Sequence, residues 1–218
     1  MIVFDIETTG INVFDAEIIT GHFLSVDDSF NIVSEYELKC RPWKWSIEAE
    51  KVHGITQQEA STFPLFRDVY QNLLSWIRMQ DTRQMWMHTN SKMFGKLTFY
   101  DYAVLRLRMM EMSDEAYFEI EKIKPYSTHS LAKVLQGDFN FEGFSLDLIC
   151  KQLGIELKHH DAKSDTLACY EIIKRLLPMT TLENLYNYER EVSNDETVRT
   201  KQKNPKKSRK LSGIDRLF

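Results

Sequence analysis

A chain of 218 residues, 43% hydrophobic and 28% charged, is long enough for one domain with a substantial core. It has no apolar run near the roughly 18 residues that span a bilayer, and no basic-then-apolar start of the kind a signal peptide shows, so neither membrane insertion nor export is expected. The formal net charge is −4, but residues 199–218 hold eight basic residues against the single acid Asp215, leaving 20 bases and 31 acids, a net −11, elsewhere. Such a body repels a polyanion unless cations intervene. The three cysteines, Cys40, Cys150 and Cys169, are widely spaced and odd in number, which fits reduced thiols and a cytoplasmic setting. No CxxC pair suggests zinc.

In chain order, residues 2–7 read as a buried strand, because Ile2, Val3, Phe4 and Ile6 are β-branched or aromatic. Asp5 and Glu7 interrupt that run two residues apart. With the period-two alternation of a strand they point the same way, roughly 7 Å apart. Two such acids suffer mutual repulsion and lost hydration, and Mg²⁺ or Mn²⁺ would relieve both. A strand end whose acids face water explains the pair equally well. Gly10 ends the run and permits a turn.

Strands at 17–26 and 32–40 follow, separated by Asp27-Asp28-Ser29, and suggest an antiparallel meander. Helical patterns come next, at 46–53 and at 64–79, with Pro64 suited to a first turn. Residues 84–88 form a short apolar strand, and 101–112 a helix with Val104, Leu105 and Leu107 inward. Further helices are expected at 144–153, ended by Gly154, at 161–177, stopped by Pro178, and at 181–192. The fold class is α/β, with a sheet flanked by helices. Residues 193–210, rich in Asn, Lys, Arg, Ser and Thr, read as a flexible basic linker, and 211–218 turn apolar again.

His160-Asp161-Ala162-Lys163-Ser164-Asp165 stands far along the chain. Asp161 or a neighbour can cap the helix there, placing Asp165 on an early turn with His160 leaning over the same place. A helix N-terminus also favours a nearby anion. A lone His is more often a core or surface residue than a catalyst. This one gains meaning from the acid pair on the first strand.

Asp5-Ile6-Glu7-Thr8-Thr9-Gly10 resembles the first motif of the DEDDh 3′–5′ exonucleases, the group that contains RNase T and the proofreading subunit of bacterial replicative polymerase. His160-Asp161-Ala162-Lys163-Ser164-Asp165 resembles their third, His-x-Ala-x-x-Asp. Val52-His53-Gly54-Ile55-Thr56, followed by Pro64-Leu65-Phe66, resembles the segment before their second. The agreement spans roughly residues 1–180. It departs at the second motif, where the family follows a strand-terminal His-Asn closely with Phe-Asp. Here the strand end is His88-Thr89-Asn90, the acid is Asp101 in Phe99-Tyr100-Asp101, and the loop 91–98 between them is enlarged. Lys92 and Lys96 in that loop are read as solvated, with phosphate contact as the alternative. Asp81, Glu111 and Asp114 are poorer choices for the missing acid, since none follows the strand end with an apolar helix behind it.

The resemblance implies an RNase H-like mixed sheet, with an antiparallel meander plus parallel strands, over residues 1–180. The C-terminal helix (181–192), the basic linker (193–210) and the apolar terminal peptide (211–218) would follow it. It implies that Asp5, Glu7, Asp101 and Asp165 hold two divalent cations, Mg²⁺ or Mn²⁺, about 3.5–4 Å apart. His160 would act as general base on the attacking water, and nucleoside 5′-monophosphates would be released from single-stranded DNA or DNA 3′ ends. Thr8 and Thr9 would meet the terminal nucleotide, and His53 and Phe66 would border the pocket for the last bases, with core packing the competing reading for Phe66. The tail, with Leu211, Ile214, Leu217 and Phe218 behind a basic run, is similar to peptides that bind sliding clamps, although the usual leading Gln and first aromatic are missing. A basic nucleic-acid tether with an incidental apolar end is the reading preferred over it. RNA 3′ ends remain an alternative substrate. A catalytically inactive module that only binds nucleic acid or a polymerase is the competing class, and the presence of all four acids and the histidine argues against it.

Overall fold

The structure, a computed structural model, describes residues 1–89, 92–93, 96–97, 99–158 and 160–203, the backbone alone for 92–93, 96–97 and 193–203. The chain opens with β1 (Ile2–Thr8), β2 (Ile18–Val26) and β3 (Ile32–Lys39), then α1 (Ile47–His53), α2 (Gln57–Ala60) and α3 (Phe66–Met79). It continues with β4 (Gln84–Met87), the short β5 (Lys92–Met93) and β6 (Lys96–Leu97), α4 (Tyr100–Met112) and α5 (Asp114–Glu121). β7 (Lys124–Ser127), α6 (Thr128–Val134), α7 (Gln136–Phe139), α8 (Leu146–Leu153), α9 (Ala162–Leu176) and α10 (Leu182–Lys203) complete it, a 3₁₀ turn at Leu177–Met179 lying between the last two.

Five strands form one sheet in the order β3-β2-β1-β4-β7. The pairs β1–β2 and β2–β3 are antiparallel, as short turns allow, whereas β1–β4 and β4–β7 are parallel and are reached through helical crossovers. This is the RNase H-like mixed sheet that the resemblance implies. Alternation on the strands sends Phe4, Ile6, Phe23 and Leu38 to one face, where they meet Leu73, Leu74, Ile77, Val104 and Leu105 of α3 and α4. Val3, Leu24 and Trp86 take the other face and meet Leu131, Ile149, Cys169, Ile172 and Ile173 of α6, α8 and α9. Paired rings tighten each layer, Phe4 on Phe23 at 5.2 Å and Trp86 on Tyr126 at 4.9 Å. Cys40, Cys150 and Cys169 are free and buried.

Two expectations change. The enlarged loop at 91–98 contains a hairpin, with Lys92 opposite Leu97 and Met93 opposite Lys96. The side chains of Lys92 and Lys96 lie outside the described residues. The last helix does not stop at Val192 but runs to Lys203, into the stretch read as linker. Low hydrophobicity alone does not end a helix, and neither Gly nor Pro interrupts the sequence between Leu182 and Pro205. The tail beyond it, including Leu211, Ile214, Leu217 and Phe218, lies outside the described residues, as do Asn90 and His159.

Candidate active site

The sheet is what brings the acids together. β1 is central, flanked by β2 and β4, and its alternation puts Asp5 and Glu7 on the face covered by α9. A register shift in the β1–β2 pairing falls between Glu7 and Thr8, and bulges of this kind re-aim the residues beside them. Asp101 enters from the first turn of α4 and is buried. Asp165 enters from the first turn of α9, also buried. Asp161 caps that helix by accepting the Ser164 N–H at 3.0 Å. Lys163 pins the same helix start to the sheet, its Nζ lying 3.6 Å from both Glu35 and Glu37 on β3.

His160 stands immediately before the cap with a left-handed backbone (φ 63°), an uncommon conformation for a residue with a side chain. Its N–H donates to Asp165 Oδ2 at 3.2 Å, which ties the turn to the acid, while the residue stays exposed. Glu7, His160 and Asp165 each offer a ligand atom within 4.8 Å of the others. Asp5, Glu7, Asp101, His160 and Asp165 all line one cleft of about 380 Å³.

Electrostatics mark the cleft as built for cations. Burial first, then Asp165 and Asp161, pushes Glu7 up to about 7. Burial, then Glu7 and Asp165, pushes Asp101 up to about 8. Asp5 is raised well above the usual carboxylate range by burial, then by Asp101 and Glu7. Desolvated carboxylates that each raise the others' proton affinity are costly in a fold. The donor set, hard carboxylate oxygens with one imidazole, fits a divalent cation that would remove that cost.

Other predicted residues divide. Thr8 lines the cleft and its hydroxyl donates to the Gly10 carbonyl at 2.9 Å. Thr9 is buried, its Oγ1 accepting the Glu17 N–H at 3.0 Å. His53 lines an adjoining apolar cleft of about 460 Å³ with Ile11, Ala49 and Val52. Phe66 does not reach either cleft. It is half-buried against the core and leans on Tyr70, the packing role that its place in a helix allows. Sequence reasoning missed Ile11, which is 96% exposed beside the acids, and Tyr100, whose hydroxyl reaches the Gly10 carbonyl. An apolar residue directly after Thr-Thr-Gly was a usable signal for the first. Nothing local betrayed the second.

An RNase H-like sheet that gathers acids from β1, α4 and α9 beneath a histidine defines an exonuclease domain of the DEDDh type. The chain belongs to the RNase T exonuclease family, whose model matches residues 2–173. No curated protein matches it. Among solved structures it is similar to E. coli exonuclease I in complex with a dT13 oligonucleotide, with a TM-score of 0.67 and 18% identity over 86% of this chain and 42% of that one. The zinc ion bound form of the E. coli exonuclease I–ssDNA complex gives 0.68 and 19% over the same shares, 86% and 42%. A complex of exonuclease I with SSB-Ct gives the same four values, 0.68, 19%, 86% and 42%. At this identity the likeness speaks for the fold, and the chain spans less than half the length of those proteins. No helix among the described residues is long and apolar enough to cross a membrane.

Proposed function

We propose that the chain is a divalent-cation-dependent 3′–5′ exonuclease that releases nucleoside 5′-monophosphates from single-stranded DNA or DNA 3′ ends. The observation that carries this reading is the convergence of Asp5, Glu7, Asp101 and Asp165 with His160 in one cleft. A module that only bound nucleic acid would have no use for acids that repel it, whereas acids of this arrangement suit Mg²⁺ or Mn²⁺, two ions in the proposed reaction. The solved neighbours are described as complexes with single-stranded DNA, which favours DNA as the substrate.

Asp5, Glu7, Asp101 and Asp165 would hold the cations. Bound there, they would supply a water of lowered pKa and positive charge against the scissile phosphate. His160 takes the proton from that water. Its ring nitrogen lies within 4.8 Å of carboxylate oxygens of Glu7 and Asp165, so the imidazolium that forms is stabilised by neighbouring negative charge. His160 is exposed at the rim of the cleft, where an incoming strand can reach it. Thr8 and the Gly10 turn border the place where the terminal sugar would sit. Ile11, Ala49, Val52 and His53 offer an apolar wall for the terminal base. The three buried thiols fit a reducing compartment such as the cytoplasm. Residues 211–218 would engage a sliding clamp or a polymerase, a proposal that a pull-down with and without those residues tests.

Asp5→Ala and His160→Ala should each abolish Mg²⁺-dependent release of 5′-mononucleotides from labelled single-stranded DNA while leaving the circular dichroism spectrum unchanged. Parallel reactions with duplex DNA and RNA define the substrate. Full activity in both variants would sink the mechanism.

A further inference from the structure

The loop between β3 and α1 carries an indole that the active site does not use. Trp43 is 75% exposed, although a Trp gains more from burial than almost any other side chain. The loop is not loose. The N–H groups of Trp43 and Lys44 donate to the two carboxylate oxygens of Glu17 at 2.7 and 3.2 Å. Glu17 in turn exchanges two hydrogen bonds of 3.0 Å with Thr9, the N–H of each donating to an oxygen of the other. The Arg41 N–H donates to the Pro64 carbonyl at 2.7 Å, which draws the loop against the start of α3. There the Arg67 guanidinium sits 5.9 Å from the Trp43 ring centroid. The backbone that carries the indole is thereby fixed to the turn that follows Glu7.

We propose that Trp43, backed by Arg67, is a stacking platform for unpaired nucleotides of the strand upstream of the 3′ end. This rests on the substrate reading above. The charge distribution supports it. Residues 1–198 carry 20 bases and 31 acids, so the body cannot hold a strand mainly through its phosphates. Bases are the part of the strand it can grip without repulsion, and an exposed indole grips any base by its π-face. Arg67 places a cation beside the ring, where it counters the local phosphate, although it also lies 3.8 Å from Asp68. In a duplex the base faces are already stacked and out of reach, so the platform discriminates for single strands.

The test measures binding of fluorescein-labelled dT3 and dT12 to the full chain by anisotropy in EDTA, so that no turnover is needed. Trp43→Ala should weaken dT12 about tenfold, the scale of one stacked base, and weaken dT3 less than about twofold. Trp43→Phe should recover most of the dT12 affinity, and a 12-base-pair duplex should respond to neither change. Because Trp43 is so exposed, neither substitution threatens the fold. Equal affinity of wild type and Trp43→Ala for dT12 overturns the proposal, as does wild type that fails to bind dT12. Hydrolysis is scored separately with Mg²⁺. Binding of this pattern without hydrolysis defeats the exonuclease reading alone, and hydrolysis with no Trp43 effect on binding defeats the platform alone.

Discussion

The hydroxyl of Tyr100 donates to the carbonyl of Gly10, bridging the first turn of α4 and the turn that ends β1. The Thr8 hydroxyl joins the same group, 3.0 Å from the Tyr100 hydroxyl. Asp101 is the next residue of α4, and Glu7 precedes Thr8, so this bond couples acids that come from distant parts of the sequence. Tyr100→Phe removes only the hydroxyl. Loss of a hydrogen bond worth about 1 kcal/mol should lower kcat/KM for an oligonucleotide roughly fivefold and raise the Mg²⁺ concentration for half-maximal rate. Steady-state kinetics across a Mg²⁺ series tests this, and wild-type values on both axes would refute it.

Asp101→Asn should abolish turnover and yet stabilise the cation-free protein. The folded-state pKa of Asp101 is raised to about 8 from an ordinary value of 3.8. A carboxyl raised in this way stabilises fully below its unfolded value, and that contribution is lost as pH rises through the folded value. Between about pH 4 and pH 8 the native protein therefore weakens, chiefly because burial penalises the charge. The amide carries no charge to desolvate. In EDTA, thermal unfolding at pH 8 should show a melting temperature a few degrees above wild type, with the gap closing at pH 4.5. A variant less stable than wild type at pH 8 would contradict the electrostatic account.

Cation binding should be coupled to proton release. Glu7, raised to about 7, and Asp101, raised to about 8, are partly protonated near neutrality in the absence of cations. A cation must displace those protons, so apparent Mg²⁺ affinity should climb from pH 6 and level off above about pH 8. Isothermal titration in two buffers of different ionisation enthalpy measures the protons released at each pH. Affinity independent of pH over this range would remove the acids from the cation site.

Much of this site is legible in the sequence because its parts lie on regular elements. Alternation on a strand places Asp5 and Glu7 together, and an Asp cap fixes Asp165 one turn into α9. Asp101 is harder to read, since an inserted hairpin separates it from β4 and only the sheet shows that both ends return to the cleft. Thr9 and Phe66 are marked by motif position, and the structure adds what the motif does not show: the Thr9 hydroxyl accepts from Glu17 and Phe66 packs against the core. β7 and α6 drew no expectation at all. Their short, mixed sequences acquire strand and helix character only against β4 and α9.

Leu185 tests how the C-terminal helix belongs to the domain. Leu185, in the helix expected to follow residue 180, is fully buried in the cluster that holds Val3, Trp86, Leu131 and Ile173. One turn further along α10, Glu189 is buried too and is pushed up to about 7 by burial, against the opposing influence of Ser130 and Lys124. The helix is thus docked by an apolar anchor and tolerates a carboxyl beside it. Leu185→Ala should cost about 2–5 kcal/mol, a drop of roughly 5–15 °C in melting temperature for a chain of this size. The acids of the cleft come from β1, α4 and α9 and not from α10, so the rate per folded molecule at 25 °C should stay near that of wild type. Unfolding followed by circular dichroism decides the first point and active-site titration the second. A melting temperature within a degree of wild type would show that α10 is an appendage and that the domain closes at residue 180.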